Sequence, residues 1–139
     1  EEGDNNLLNT ALRESKEEIG LKESEVRILG SLDPMVSRFN ISVSPYIGVI
    51  PSNVKLNTDS EEIEACFTVP LLFFLEDKRF RNDLIKRNDK TFFIPAYKYE
   101  SYVIWGLTAM ITVDFLNLTV DANIDLWKPG KSVGEKNDI

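Results

Sequence analysis

Two segments with helical spacing enclose a series of strand-like segments, and this order is the strongest constraint on the fold. Apolar residues recur every three to four positions over 8–20 and over 107–118, which predicts a helix in each place. Between the helices, apolar runs predict five strands, the last two forming separate strands or a hairpin: 26–32, 41–50, 63–67, 92–99 and 100–105. An α+β fold, with helices packed on both sides of a mixed β-sheet, satisfies this order.

Each predicted helix has a face that we expect to be buried. In the first helix this stripe is Leu8, Ala11, Leu12, Ser15 and Ile19, with Asp4, Asn5 or Asn6 as candidate N-caps and Gly20 placed to end the helix. In the second helix the face is Leu107, Met110, Ile111, Phe115 and Leu118. A short helix is predicted over 71–75, and a charged connection over 77–90. In the first strand, Val26 and Ile28 share one side, with Leu32 as a candidate third member.

The 139 residues include no histidine and one cysteine, which removes several classes of chemistry. Without histidine there is no His general base, Ser-His-Asp triad or His-ligated zinc site, and Cys66 alone cannot form an internal disulfide. Sixteen Lys and Arg against 23 Asp and Glu give a net charge of −7, so a general nucleic-acid-binding surface is not predicted. A catalytic metal would be a hard cation held by oxygen, such as Mg²⁺ or Mn²⁺.

The most apolar run, residues 103–120, is predicted to be a buried helix and not a membrane span. Asp114 and Asn117 lie inside it and Gly106 lies near its start. A spanning helix needs about 20 predominantly apolar residues. We therefore predict no membrane partner.

Three glutamates share one face of the first predicted helix, away from the apolar stripe. Glu14, Glu17 and Glu18 stand at i, i+3 and i+4, which places neighbouring Cβ atoms about 5–6 Å apart. Like charges at this spacing repel, and the negative end of the helix dipole disfavours them further. A divalent cation reverses this argument, because it needs a compact group of anionic oxygens. The alternative is a solvated acidic face on which Arg13 pairs with Glu17.

The segment that carries these glutamates, residues 10–21, reads Thr-Ala-Leu-Arg-Glu-Ser-Lys-Glu-Glu-Ile-Gly-Leu. It resembles the second half of the Nudix box, G-x5-E-x7-R-E-U-x-E-E-x-G-U, where U is aliphatic. Six residues match: Arg13, Glu14, Glu17, Glu18, Gly20 and Leu21. Ser15 stands where the motif has an aliphatic residue. Counting back places the first motif glutamate at Asn5 and the first glycine before residue 1, so we expect the chain to begin inside the motif, without the first strands of a Nudix sheet.

Further segments resemble the coenzyme A diphosphatase branch of that family. Residues 44–48, Ser-Pro-Tyr-Ile-Gly, resemble its proline-containing strand, and residues 105–109, Trp-Gly-Leu-Thr-Ala, resemble the entry into its last helix. Glu62-Ile63 followed by residues 67–71, Phe-Thr-Val-Pro-Leu, resembles its loop into a helix start. The resemblance runs from about residue 4 to residue 118. The upstream segment and the Gly-Gly pair that precede the box in this branch do not occur in the sequence.

The resemblance implies hydrolysis of the pyrophosphate bond of coenzyme A or its derivatives, with Mg²⁺ or Mn²⁺ as cofactor. The products would be adenosine 3',5'-bisphosphate and phosphopantetheine or its acyl form. Glu14, Glu17 and Glu18 would be the metal ligands, and Arg13 would brace these carboxylates. The general base would be a helix glutamate or a loop carboxylate. Glu62 is the first loop candidate, Glu61 and Glu64 are alternatives, and each also reads as a plain solvated charge.

Substrate-binding residues are less well defined by the sequence. The extra phosphate of coenzyme A calls for Arg or Lys, and the candidates are Arg38, Arg79, Arg81, Lys86 and Arg87. Trp105 and Tyr46 are candidates for stacking on adenine, although an aromatic beside apolar residues more often belongs to the core. Cys66, inside a predicted strand, is expected to be a packed thiol.

One Nudix-like hydrolase domain, truncated at its N-terminus, is predicted over 1–128, with a polar tail over 129–139. The expected partner is a small-molecule substrate, with no nucleic acid and no membrane. The expected location is peroxisomal or cytoplasmic, without a visible targeting signal. Three other readings stay open: a Nudix pyrophosphatase for another substrate such as ADP-ribose, a Nudix-fold fragment that binds without catalysis, and a plain globular domain.

Overall fold

The computed structural model describes residues 2–57 and 65–130, and the chain divides into two compact units. The first unit is Glu1–Thr68 and the second is Val69–Ile139. Both units contain helices and strand pairs, so the predicted α+β class is confirmed. Every strand pair in the described ranges is antiparallel. The single domain over 1–128 stays a prediction.

The first unit begins with helix α1, Glu2–Ile19, which is followed by a single 3-10 turn at Glu23–Glu25. The helix starts six residues before the predicted residue 8, so Asp4, Asn5 and Asn6 lie inside it and the predicted N-cap is wrong. The predicted apolar stripe is confirmed, because all five of its residues are half-buried.

Two antiparallel strand pairs follow in the first unit. Strand β1, Arg27–Ser31, pairs with β4, Tyr46–Val49, while β2, Met35–Val36, pairs with β3, Ser42–Val43. The single strand predicted over 41–50 is therefore two strands. Pro45 lies between them, and its carbonyl accepts a hydrogen bond from the Leu32 backbone N–H at 3.0 Å. Proline has no N–H to donate to a ladder, which explains the interruption.

A β-bulge changes which residues of β1 share a face. The register with β4 shifts between Ile28 and Gly30. Ile28 stands opposite Gly48 and Ser31 opposite Tyr46, so Ile28 and Ser31 point to the same side although they are three positions apart. Leu32 therefore belongs to the other side, and its predicted grouping with Ile28 is wrong.

The second unit contains a three-stranded antiparallel sheet in the order β5-β6-β7. Its strands are β5, Arg81–Arg87, β6, Lys90–Tyr99, and β7, Tyr102–Ile104. The hairpin predicted over 92–105 is confirmed as β6–β7, but the charged connection predicted over 77–90 is wrong, because half of it is strand β5. Asn88 and Asp89 join β5 to β6 with φ of 50° and 62°, the two left-handed residues of a type I′ turn.

Two helices complete the second unit: α2, Leu71–Leu75, as predicted, and α3, Gly106–Val120. The buried core is formed by residues from α2, β6, α3 and the segment after α3: Phe74, Tyr97, Val113, Leu116 and Ile124. The predicted buried face of α3 is wrong at Leu118, which is 68% exposed, while Ala109, Val113 and Leu116 are buried. The apolar residues of α3 are distributed around the helix, so their periodicity does not identify the buried face.

Among the helices of the described ranges, none has the length and apolar character needed to cross a membrane.

The segment after α3, residues 121–130, is attached to the sheet and to α3 although it has no regular structure. The Phe93 backbone N–H donates to the Leu126 carbonyl at 2.7 Å. The Asn117 side chain exchanges two hydrogen bonds with the Ile124 backbone, at 2.8 and 3.0 Å. The strand predicted over 63–67 falls partly on residues 63 and 64, which lie outside the described ranges, and residues 65–67 form no strand.

Candidate functional site

The helix that carries the three glutamates ends at Gly20, as predicted. Gly20 adopts φ +72°, a left-handed conformation that glycine accepts without steric cost. Its N–H donates to the Lys16 carbonyl at 3.0 Å, and the Leu21 N–H donates to the Ser15 carbonyl at 3.3 Å. The first of these bonds satisfies one of the four carbonyls that the helix end would otherwise leave unpaired.

The backbone of Asn57 contacts this helix end. Its N–H donates to the Ile19 carbonyl at 2.7 Å. A Cβ built on Gly20 would lie 3.1 Å from the Cβ of Asn57, so a side chain at position 20 would crowd this contact. The backbone at Asn57 is therefore held against the C-terminal end of α1. Glu61, Glu62 and Glu64, the predicted loop carboxylates, lie outside the described residues.

The three glutamates lie along the side of α1 away from its half-buried stripe. Glu14 and Glu17 are exposed, and Glu18 is half-buried. The Arg13 guanidinium donates from Nη1 to both carboxylate oxygens of Glu17, at 3.2 and 3.3 Å. The predicted Arg13–Glu17 pair is thus confirmed. Both side chains are more than half exposed, so the pair contributes only about 0.3–0.5 kcal/mol to stability.

The donor atoms of this helix suit a hard cation. Carboxylate oxygens are the ligands that Mg²⁺ and Mn²⁺ prefer. Among residues 2–57 and 65–130, however, no group of three or more Asp, Glu, His or Cys side chains is placed to hold a metal ion. The Glu17 carboxylate faces Arg13 instead. The three carboxylates have the chemistry that a hard cation prefers, and in this structure they do not form a metal-binding cluster.

Arg79, a predicted phosphate-binding candidate, is buried, and Asp77 and Asn82 occupy its donors. Its side chain is 2% exposed. Nε and Nη2 donate to the two carboxylate oxygens of Asp77 at 3.1 and 2.6 Å, and Nη1 donates to Asn82 Oδ1 at 2.8 Å. The Tyr97 hydroxyl donates to Asp77 Oδ1 at 3.1 Å. Burial of the phenol, together with the negative charge of Asp77, raises the pKa of Tyr97 well above its ordinary value.

Gly130 lies against the guanidinium of Arg79. A Cβ at this position would collide with the guanidinium carbon and with both terminal nitrogens. The Asn82 amide fixes the glycine by donating from Nδ2 to its carbonyl at 2.7 Å and accepting from its N–H at 3.1 Å. Arg79 is therefore enclosed by its own side-chain partners and by Gly130.

The other cationic candidates lie at separate places. Arg38 stacks over the ring of Phe39, with its Cζ 4.8 Å from the ring centroid. Arg81 donates from Nε to Asp83 at 2.7 Å. Lys86 and Arg87 are the last two residues of β5, beside the type I′ turn.

Three expectations about core residues have different outcomes. Trp105 is 51% exposed, so it does not belong to the core, whereas Tyr46 is half-buried. Cys66 is exposed, and the predicted packed thiol is wrong because residues 65–67 form no strand that could bury it.

The chain is similar over 108 residues to three curated bacterial proteins that bear the name uncharacterized Nudix hydrolase NudL. The Yersinia enterocolitica protein is 37% identical, across 78% of this chain and 55% of the relative. The Yersinia pestis and Yersinia pseudotuberculosis proteins are 36% identical, across 78% of this chain and 54% of each relative. The chain thus spans about half the length of the curated relatives it matches. These homologues support the Nudix family.

Helix α1 and Gly20 carry the residues that resemble the second half of the Nudix box. No protein-family model matches the chain. The names of the Nudix relatives specify no substrate, so the coenzyme A diphosphatase branch is a matter for proposal. The relatives are bacterial, and bacteria have no peroxisomes, so the comparison does not support the predicted peroxisomal location.

Proposed function

We propose that this chain carries the metal-binding helix of a Nudix pyrophosphatase that hydrolyses coenzyme A or its derivatives. The observation that carries the proposal is the spacing of Glu14, Glu17 and Glu18 along α1, in a chain similar to Nudix hydrolases over 108 residues. The products would be adenosine 3',5'-bisphosphate and phosphopantetheine or its acyl form.

The residues of α1 would divide the work of binding Mg²⁺ or Mn²⁺. Glu14, Glu17 and Glu18 would hold the cation. A bound divalent cation supplies neutralisation of the pyrophosphate charge and activation of the attacking water. Arg13 donates hydrogen bonds to Glu17 and would orient its carboxylate. When the metal ion binds, Glu17 would exchange the Arg13 guanidinium for the metal as its cationic partner.

The general base is proposed to be a carboxylate, because the sequence contains no histidine. It would be a helix glutamate or a loop carboxylate, and Glu62 is the first candidate among the loop residues. Glu62, Glu61 and Glu64 are proposed on the sequence alone, because they lie outside the described residues. The carboxylate would accept the proton of the attacking water.

Coenzyme A is proposed as the substrate on the resemblance of residues 44–48 and 105–109 to the coenzyme A branch. The competing substrate class within the family is another nucleoside diphosphate derivative, such as ADP-ribose. The two are separable by their products, because only coenzyme A gives a bisphosphorylated adenosine.

The test is hydrolysis of coenzyme A and of ADP-ribose in parallel, with Mg²⁺ or Mn²⁺ and chromatographic resolution of the products. We expect adenosine 3',5'-bisphosphate from coenzyme A, and a rate about 100-fold lower in Glu18→Gln, because a lost metal ligand removes several kcal/mol of transition-state stabilisation. Glu23→Gln is the matched control, since Glu23 lies in the 3-10 turn outside the three-glutamate face, and it should keep the parent rate.

Three outcomes separate the hypotheses. Adenosine monophosphate from ADP-ribose, with no product from coenzyme A, would contradict coenzyme A as the substrate and support pyrophosphate hydrolysis as the reaction. A folded chain that binds Mn²⁺ and hydrolyses neither compound would favour a binding role. A chain that neither binds Mn²⁺ nor releases product would contradict the proposed site.

A further inference from the structure

The turn end of the β5–β6 hairpin combines an exposed indole with cationic side chains. Trp127 is 56% exposed. Its ring packs on Phe92 of β6, with centroids 4.7 Å apart and planes tilted by 37°. The ammonium nitrogen of Lys90, the first residue of β6, lies 5.8 Å from the Trp127 ring centroid. Phe92 thus supports the indole while more than half of Trp127 stays accessible.

Backbone contacts fix Trp127 on the sheet. The residue before it, Leu126, accepts a hydrogen bond from the Phe93 N–H at 2.7 Å. The Trp127 N–H itself donates to the side chain of Asp125 at 2.8 Å. A ring positioned by contacts at its own backbone and at its neighbour loses little further freedom when a ligand stacks on it.

Two cations oppose each other on the face that carries Phe92. In the register of the hairpin, Arg87 stands opposite Lys90, and Ile85 stands opposite Phe92. Opposed residues share a face and alternate residues repeat it, so Arg87, Lys90 and Phe92 lie on one side of the sheet. Like charges directly opposed across a strand pair repel, and a bound anion would reverse that repulsion.

The local charge is unusual for this protein. Residues 86–90 contain three cations, Lys86, Arg87 and Lys90, and one carboxylate, Asp89, in a chain with a net charge of −7. Lys128 follows Trp127, while the Asp125 carboxylate accepts the Trp127 backbone N–H. An anionic ligand therefore meets a local excess of positive charge at this end of the hairpin.

We propose that this indole face, defined as Arg87, Lys90 and Trp127, binds a phosphorylated nucleoside. The base stacks on the exposed indole, and a phosphate group binds between Arg87 and Lys90. Base–aromatic stacking contributes about 1–3 kcal/mol per base. Lys and Arg are the side chains that recognise phosphate. The proposal rests on the proposed function for its ligand class, since nucleoside diphosphate derivatives and their products carry this group.

The experiment uses the fact that the chain has two tryptophans. In Trp105→Phe, all indole fluorescence comes from Trp127. Adenosine 3',5'-bisphosphate is titrated into this variant without metal, and the fluorescence is followed. We expect saturable quenching, with binding about tenfold weaker after an added Lys90→Gln or Arg87→Gln change, because each removes a charge-assisted hydrogen bond. Adenosine, which lacks the phosphate groups, and inorganic phosphate, which lacks the base, should bind more weakly still.

Lys98→Gln is the matched control. Lys98 lies on the same strand and also contacts an aromatic ring, with its nitrogen 5.8 Å from the Phe80 centroid, but it stands opposite Val103. It should leave binding unchanged. Circular dichroism verifies that each variant is folded.

The inference would be overturned by the absence of a saturable change of Trp127 fluorescence with the bisphosphate, or by equal weakening in Lys90→Gln and Lys98→Gln. A preference for oligonucleotides in proportion to their length would also overturn it, by indicating a polyanion surface. The binding assay needs neither metal nor turnover.

Hydrolysis of coenzyme A without bisphosphate binding at Trp127 would contradict the inference and leave the proposed function standing. Bisphosphate binding at Trp127 without hydrolysis of coenzyme A would contradict the proposed function and leave the binding site standing.

Discussion

At the scale of single residues, Asp77 holds the most consequential contacts of the second unit. It receives two hydrogen bonds from the buried Arg79 and one from Tyr97. Asp77→Ala would leave the guanidinium buried without its counter-ion. We expect the free energy of unfolding in urea to fall by about 3 kcal/mol, the low end for a broken buried pair, because the Asp77 side chain is itself 38% exposed.

Asp83→Ala provides the control for this prediction. It removes the partner of Arg81, whose side chain is 42% exposed and can be solvated when the pair is broken. The expected loss is below about 1 kcal/mol. Equal losses in the two variants would show that burial of Arg79 carries no special cost.

The Tyr97 phenol gives a prediction at alkaline pH. Its pKa is raised in the folded protein, mainly by burial and then by the charge of Asp77. A raised pKa contributes stability below the unfolded-state pKa of about 10, and this contribution is lost as the pH rises above that value. The urea stability of the parent should therefore fall above pH 10 by up to about 1.4 kcal/mol per pH unit more than that of Tyr97→Phe. Parallel pH profiles of parent and variant would contradict the assignment.

At the scale of elements, the end of α1 depends on a residue without a side chain. In Gly20→Ala the new Cβ meets a left-handed backbone and the nearby Asn57 Cβ at 3.1 Å. We expect a loss of about 1–2 kcal/mol in thermal or urea unfolding, together with weaker Mn²⁺ binding if α1 holds the metal. Gly30→Ala is the control, since nothing lies within 4 Å of a Cβ there. An unchanged Mn²⁺ affinity in a destabilised Gly20→Ala would separate the helix end from the metal site.

The elements that the sequence predicted well are those with local signals. The stripe of α1, its end at Gly20 and the Arg13–Glu17 pair depend on spacing within one helix. Strand β5 was not predicted because its charged residues obscure the alternation of apolar and polar side chains that is typical of a strand. The buried face of α3 was predicted wrongly at Leu118. Apolar residues occur on several faces of this helix, so their spacing does not identify the face that is buried.

The candidate site shows the same division between local and distant information. The glutamate spacing could be predicted because a helix fixes it. The burial of Arg79 could not, since Gly130, which lies against its guanidinium, is far away in the sequence. The contact between Phe92 and Trp127 joins residues 35 positions apart and gives no sequence signal.

At the scale of the whole molecule, burial is distributed unevenly between the two units. In the described residues of the first unit, the buried hydrophobic side chains are Leu21 and Leu32. The second unit buries eight, including Ile94, Ala96 and Tyr97 of β6 and Val113 and Leu116 of α3. The second unit should therefore be the more resistant to local opening.

Native-state hydrogen exchange followed by mass spectrometry tests this difference. We expect amides of β6 and α3 to exchange more slowly than those of α1, whose stripe is only half-buried. Adding Mn²⁺ should slow exchange in α1 and leave β6 unchanged, because a ligand stabilises the states that bind it. Slowing of both segments together would indicate one cooperative unit, and equal protection without metal would contradict the uneven core.

The exposed thiol of Cys66 makes the protein chemically addressable at one position. Because the chain contains no other cysteine, a nitroxide or a maleimide dye attaches to a single sulfur and yields homogeneous material without further mutagenesis. Mn²⁺ is paramagnetic and broadens the spectrum of a nearby nitroxide to an extent set by their separation. A nitroxide on Cys66 can therefore measure the distance from this residue to Mn²⁺ bound to the protein in solution.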